Sequence, residues 1–166
     1  MIAAMDVCYR NGLAVAACVI FEEGTSDGYL AEFRQRMAEI QPYQSGRFYK
    51  RELPCLLALW NHVRTRIEAV IIDGYVWLGP ENSPGLGAHL HRALGKEAAV
   101  IGVAKTPFKG APNAQRVLRG TSRRPLYVTA AGIDPHVAAK NIERMHGPHR
   151  IPTILKRVDR LCRATV

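Results

Sequence analysis

No apolar run in this chain approaches the roughly 20 residues that a membrane-spanning helix needs, and the N-terminus lacks the basic-then-apolar pattern of a secretory leader. The expectation is a cytoplasmic protein with no membrane partner. Cysteine is scarce and scattered. Cys8, Cys18, Cys55 and Cys162 form no C-x-x-C pair and each lies in an apolar stretch, the pattern of reduced core thiols rather than of a zinc site or a disulfide frame. Acidic residues are also few, 14 against 23 lysines and arginines, which leaves a formal charge of +9. Such an excess points to a polyanionic partner, nucleic acid or an anionic membrane surface, and charge alone does not choose between them. Repeats, low-complexity tracts and linkers are missing too. At 166 residues, 48% of them hydrophobic, the chain is expected to fold as one domain over residues 1–166, with no obligate protein partner.

What is present is a succession of short apolar runs interrupted or ended by carboxylates. Val70-Ile71-Ile72-Asp73-Gly74 reads as a buried strand whose last side chain is charged. Asp73 there is either a cap for the next element or a ligand where a sheet opens to solvent. Residues 1–9 read as a first strand, Arg10-Asn11-Gly12 as turn chemistry, and residues 13–21 as the returning strand of an antiparallel hairpin. Asp6 breaks the first strand, as a solvent-face residue or as a second functional carboxylate. Leu30, Phe33, Met37 and Ile40 have helical spacing, so pattern alone predicts a helix over residues 29–41, ended by Pro42-Tyr43-Gln44-Ser45-Gly46. A second helix is predicted over residues 48–66 on the stripe Leu53, Leu56, Leu57, Trp60 and Val63. It requires Pro54 to lie in the first turn and puts Glu52 at the helix start, where partnering the helix dipole is the simpler role.

Residues 75–84 are expected as a loop at the C-terminal end of the Asp73 strand. Residues 85–94 follow as a short helix with His89 and His91 on different faces, one packed and one exposed, and residues 98–104 as a buried strand ending at Lys105. From 105 to 124 the chain carries Lys105, Lys109, Arg116, Arg119, Arg123 and Arg124 with no acidic residue. This is a phosphate-binding loop or a solvated surface loop. A strand over 126–130, a helix from Asp134 to about Met145, a turn over 146–149 and a basic helix over 153–163 complete the order, with Asp159 reading most simply as a surface ion-pair partner. Strands alternating with helices after a hairpin define an α/β fold with a mixed β-sheet and flanking helices. If the Asp6 and Asp73 strands are neighbours, their carboxylates share one end of the sheet, and Glu52 and Asp159 would complete a cluster. Four converging carboxylates need a cation, and oxygen ligands select Mg²⁺ or Mn²⁺ over zinc. Such a cluster activates water against a phosphodiester.

These residues resemble endonuclease V, the deoxyinosine 3′-endonuclease family. Asp6-Val7-Cys8-Tyr9 is similar to its D-V-S-Y strand. Pro42-Tyr43 with Gly46 and then Lys50-Arg51-Glu52-Leu53-Pro54 is similar to P-Y-x-x-G…F-R-E-x-P, and Asp73-Gly74 to its D-G. Gly87-Ala88-His89-Leu90 is similar to A-S-H-L, Ile101-Gly102-Val103-Ala104-Lys105 to I-G-V-A-K, and Arg150-Ile151-Pro152 with Val158-Asp159 to R-x-P…A-D. The resemblance implies an RNase H-like fold and Mg²⁺-dependent hydrolysis to the 3′ side of deoxyinosine or another deaminated base, in DNA and possibly RNA. It implies Asp6, Glu52, Asp73 and Asp159 as the metal-binding set and Lys105 near the scissile phosphate. Pro42 and Tyr43 would form a wedge at the lesion. Gly46, Gly74 and Gly102 would line the pocket of the flipped base, and His89 would join the nucleic-acid contacts. The same resemblance turns residues 29–41 into a third strand leading to the wedge.

Three departures stand out. Gly79-Pro80-Glu81 occupies the place of a His followed by Pro-Arg, Val76 that of the second glycine in D-G-x-G, and the chain is expected to lack the family's N-terminal helical extension. They leave two alternatives: a catalytically weakened nucleic-acid-binding relative, and an RNase H-like nuclease for another substrate, inosine RNA or branched DNA.

Overall fold

The computed structural model describes residues 1–22, 26–38, 42, 45, 47–111 and 113–164. The chain opens with β1 (Ile2–Arg10) and β2 (Leu13–Phe21), in register from Ile2↔Phe21 to Arg10↔Leu13. Asn11 and Gly12 both take positive φ, 50° and 75°, as a two-residue turn between right-twisted strands demands. β3 (Ala31–Met37) pairs antiparallel with β2, and α1 (Tyr49–Trp60) leads to β4 (Ala69–Asp73). A small hairpin of β5 (Trp77–Leu78) and β6 (Ser83–Pro84) precedes α2 (Leu86–Ala93), followed by β7 (Ala99–Ala104), β8 (Gln115–Val117), β9 (Leu126–Ala131), α3 (Pro135–Arg144) and α4 (Thr153–Arg163). Among the described residues the main sheet has seven strands ordered β3-β2-β1-β4-β7-β9-β8. β4 runs parallel to β1 and β7, and the other pairs are antiparallel.

Alternation along the central strands divides the core in two. Ala3, Met5 and Val7 of β1 pack with α1 and α2 through Leu56, Leu59 and Leu90. Ala4 of the same strand faces Ile142 of α3 and Ile154 and Val158 of α4. No helix among the described residues is long and apolar enough to cross a membrane.

Four expectations need correction. The helix predicted by pattern over residues 29–41 is strand β3, as the family resemblance implied; residues 39–41 lie outside the described set. Ala31, Phe33 and Met37 face the core at even spacing, which a strand satisfies as well as a helix, and pairing with the edge of β2 decides. Pro54 is the sixth residue of α1, past the first turn, on the exposed face where water can satisfy the carbonyl it leaves unpaired. The segment 75–84 is not only loop, since it holds β5 and β6. His89 and His91 are both half-buried, and His89 stacks on Tyr49 with ring centroids 3.7 Å apart.

Arg119 is the largest departure inside the basic segment. It is 5% exposed and donates to the carbonyls of Glu143, Met145, Gly147, His149 and Arg150, so it clamps the turn between α3 and α4 and is not available to a phosphate. Five carbonyl acceptors hold its charge in place of water. Arg119→Ala is expected to destabilise the protein by about 3 kcal/mol, because it strands those carbonyls. Urea unfolding measures it, and an unchanged midpoint would remove the clamp.

Candidate active site

β1 and β4 run parallel with Met5 opposite Ile72, so one residue further on Asp6 and Asp73 lie side by side at the C-terminal end of β4. Asp6 points to the α4 side of the sheet, as Ala4 does. There Asp6, Asp73, Lys105, Lys156 and Asp159 line a cavity of about 170 Å³ floored by Ile71, Leu155 and Val158. Glu52 arrives from α1 on the other face and is 8% exposed.

The carboxylates lie within one another's fields. Burial pushes the Asp6 carboxyl up to about 6, helped by the charges of Asp73 and Asp159 and opposed by the Val7 N–H and Lys105. Burial pushes Glu52 further, to about 8, reinforced by Asp6 and Asp73 against Arg51. Asp73 and Asp159 are turned onto cations of the chain itself: Lys105 Nζ stands 2.7 Å from Asp73 Oδ2, and Arg163 Nε 2.7 Å from Asp159 Oδ1. Burial works against the Lys105 charge, but the hydrogen bond to Asp73 and the fields of Asp73, Asp6 and Asp159 outweigh it, and its pKa is raised. With two carboxylates engaged in this way, no three His, Cys, Asp or Glu side chains among the described residues stand close enough to hold a metal ion as they are oriented. The donor chemistry nonetheless fits a hard divalent cation. The set is all carboxylate oxygen, and burial together with their mutual repulsion disfavours the ionised forms of Asp6 and Glu52, which a bound cation would offset.

Glycines shape the floor beside this cluster. A Cβ on Gly102 would lie 2.5 Å from the Gly74 carbonyl oxygen and 2.9 Å from the Val76 nitrogen, so only glycine lets residues 74–76 lie against β7. Gly74 itself takes φ +126°. The Val76 N–H donates to Thr129 Oγ1 at 2.8 Å, while its fully buried side chain packs onto Gly87, in the core. The valine therefore fills core space. Gly79 takes φ +70° in the β5–β6 turn, and the neighbouring Pro80 packs on Gly110 of the basic segment.

Three supporting residues were given no role by sequence reasoning. Arg150 donates to the carbonyls of Lys105 and Pro125, fixing the backbone that carries Lys105. Tyr75 donates through its hydroxyl to the Thr106 carbonyl at 2.7 Å and accepts from the Phe108 N–H at 3.0 Å, tying the Asp73 loop to the start of the basic segment. Thr129 anchors Val76. Only Arg150 left a signal, as the first residue of its R-x-P motif.

Asp6, Asp73, Lys105 and Asp159 are thus brought to one cavity and Glu52 to within electrostatic reach. Arg116, Arg123 and Arg124 are exposed on or just after the edge strand β8, and Lys109 is exposed beside Gly110, which meets Pro80 of the β5–β6 turn. Pro42 is exposed, and Tyr43 and Gly46 lie outside the described residues.

Adjacent parallel strands carrying aspartates, with acidic residues delivered by helices on both faces, mark an RNase H-like fold with an acidic site at its strand ends. The family is narrower than that. The Endonuclease V family matches residues 1–130, and the chain belongs to it. Endonuclease V of Rhodospirillum centenum is 30% identical over 93% of this chain and 71% of that protein. The crystal structure of endonuclease V from Streptomyces avermitilis superposes with a TM-score of 0.78 at 26% identity, covering 98% of this chain and 79% of that one. Endonuclease V of Ciona intestinalis, in complex with a 24mer DNA containing an inosine followed by a ribo-adenosine, gives a TM-score of 0.76 at 19% identity over 98% and 84% of the two chains. Asp159 and Arg150 lie beyond the stretch that the family matches.

Proposed function

We propose that this protein is a metal-dependent endonuclease of DNA-repair type that hydrolyses a phosphodiester to the 3′ side of deoxyinosine or another deaminated base. The observation that carries the hydrolysis is the shared field of Asp6, Glu52, Asp73 and Asp159 with Lys105 held 2.7 Å from Asp73, and the preference for inosine rests on membership of the Endonuclease V family. These four carboxylates would hold Mg²⁺ or Mn²⁺. When bound, such an ion lowers the pKa of water and neutralises charge developing on the phosphate, without a covalent enzyme intermediate. Lys105 keeps its proton in this field, and its flexible stem lets the ammonium pass from Asp73 to a phosphate oxygen. Gly74, with open space where a Cβ would stand, would allow close backbone approach to an extruded base, while Gly102 makes room for the 74–76 backbone and does not itself face the base; a mispaired base is the least costly to extrude. Pro42 and Tyr43 would wedge the stack open. The exposed Lys109, Arg116, Arg123 and Arg124 contact the backbone.

The test compares inosine-containing and control oligonucleotides, as DNA and as RNA, with Mg²⁺ and with chelator, beside Asp73→Ala. Cleavage of the inosine strand is expected only with Mg²⁺ and intact Asp73. Absence of Mg²⁺-dependent cleavage on every substrate would overturn the enzyme reading in favour of a binding relative, and cleavage blind to inosine would transfer it to another substrate.

A further inference from the structure

A second basic surface lies on the side of the site away from the 105–124 segment. The far end of the β1–β2 hairpin, the edge strand β3 and the C-terminal turn of α4 enclose an open groove of about 620 Å³. Among the described residues its lining includes Tyr9, Arg10, Asn11, Arg36, Cys162 and Arg163, and no carboxylate. Arg34 donates to the Ala164 carbonyl at 2.8 Å, so β3 and the end of α4 are tied together beside the groove. Arg10 and Arg36 are exposed, and neither is paired with a carboxylate among the described residues. Arg163 is neutralised by Asp159, which leaves the Arg10 and Arg36 guanidiniums on one concave surface with no anion of the described chain to offset them.

We propose that this groove binds the phosphate backbone of the same nucleic acid that enters the carboxylate site, an inference that rests on the function proposed above. Continuity selects nucleic acid over other polyanions. Arg163 forms one wall of the groove and holds Asp159 at 2.7 Å, and Asp159 lines the catalytic cavity, so a chain of phosphates leaving that cavity along α4 meets the groove next. Arginine suits the role because its planar fork can take two phosphate oxygens at once.

The position gives a distance. Arg10 lies four residues beyond Asp6 on β1, about 13 Å at roughly 3.3 Å per residue, and β3 is two strands from β1, about 10 Å away. With a duplex rise of about 3.4 Å, the groove meets the backbone roughly three to four base pairs from the cleaved bond. The sheet order puts the 105–124 segment at the opposite edge, past β7 and β9. The substrate is therefore held on both sides of the carboxylates.

The experiment measures equilibrium binding in chelator, by fluorescence anisotropy across a salt series, on a duplex with one central inosine and long flanks. Wild type is compared with the Arg10→Gln, Arg36→Gln double variant. Arg163 is left intact because it touches Asp159. A control pair, Arg64→Gln with Arg66→Gln, removes the same charge just before β4, at the other end of the sheet from Asp73. The groove variant is expected to bind about tenfold more weakly, and the slope of log affinity against log salt to fall by about 1.8, two phosphates at about 0.9 each. The control pair should keep the wild-type slope. On a duplex cut back to about two base pairs on the groove side of the inosine and kept long on the other, wild type and groove variant should bind alike. Equal slopes for wild type and groove variant on the long duplex, or the same loss in the control pair, would overturn the groove and leave the active-site reading intact. A wild type that binds neither duplex would overturn both.

Discussion

Asp73→Asn is expected to lower Mg²⁺-dependent cleavage of an inosine strand on the order of 10³-fold while leaving binding of that strand in place. Asparagine keeps the size of the side chain and removes its charge. Asp73 ends β4 beside Asp6, is itself exposed, and contributes to no buried core, so the fold should tolerate the change. Two things are lost at once. On the proposed reading the cation would lose a ligand, and Lys105, whose ammonium is held 2.7 Å away, loses the partner that keeps it at the site. Binding should survive because the phosphate contacts proposed above lie on other residues, and removing one negative charge reduces repulsion of the backbone. Single-turnover cleavage and anisotropy on the same duplex separate the two effects. A rate within about tenfold of wild type would exclude Asp73 from the reacting centre.

The second large effect is on stability and depends jointly on pH and metal. Asp6 and Glu52 have folded-state values of about 6 and about 8, above the ordinary 3.8 and 4.5. A carboxyl whose pKa is raised by folding binds its proton more tightly in the native state. Its stabilising contribution is complete below the unfolded value and is lost as pH climbs to the folded one. Without metal, stability should therefore fall between about pH 4 and 6 for Asp6 and between about 4.5 and 8 for Glu52, then level off. At about 1.4 kcal/mol per pKa unit the total decline is several kcal/mol. If Mg²⁺ is held by these carboxylates it binds their ionised forms, so its stabilisation should grow as pH rises through the same window. Glu52→Gln should flatten the metal-free decline above pH 6 and reduce the response to Mg²⁺. Thermal unfolding with chelator and with Mg²⁺ from pH 5 to 8.5 reads both. A stability that rises over this range in chelator would contradict the buried, mutually repelling pair.

How much of this was legible in the sequence depended on range. Asn11-Gly12 fixed the first hairpin because a two-residue turn is a local event, and the apolar runs before Asp73 and Lys105 were buried strands as read. Asp6 and Asp73 were legible as a pair once their strands were taken as neighbours, a placement that periodicity alone does not supply. β3 was misread by pattern because Phe33 and Met37, four apart, suit both periods, and the deciding fact was the open edge of β2. Arg119 was misplaced because its charge is visible in the sequence while the five carbonyls that converge on it come from a turn about 30 residues away. Asp159 reads most simply as an ion-pair partner, which it is, to Arg163 one turn on, and the resemblance places it in the acidic set as well. That it also borders the Asp6 cavity follows from α4 packing on β1 and β2. The roles of Tyr75, Thr129 and Arg150 are contacts between distant loops, which no local pattern encodes.

The most direct measurement is the map of cuts on a single duplex: one inosine, the strand labelled at its 5′ end, purified protein, and Mg²⁺ or chelator. If the carboxylate cluster cuts beside a deaminated base, Mg²⁺ should produce one labelled product, ending to the 3′ side of the inosine, and chelator none. Cuts spread evenly along both strands, or an intact strand in Mg²⁺ and in Mn²⁺, would contradict it.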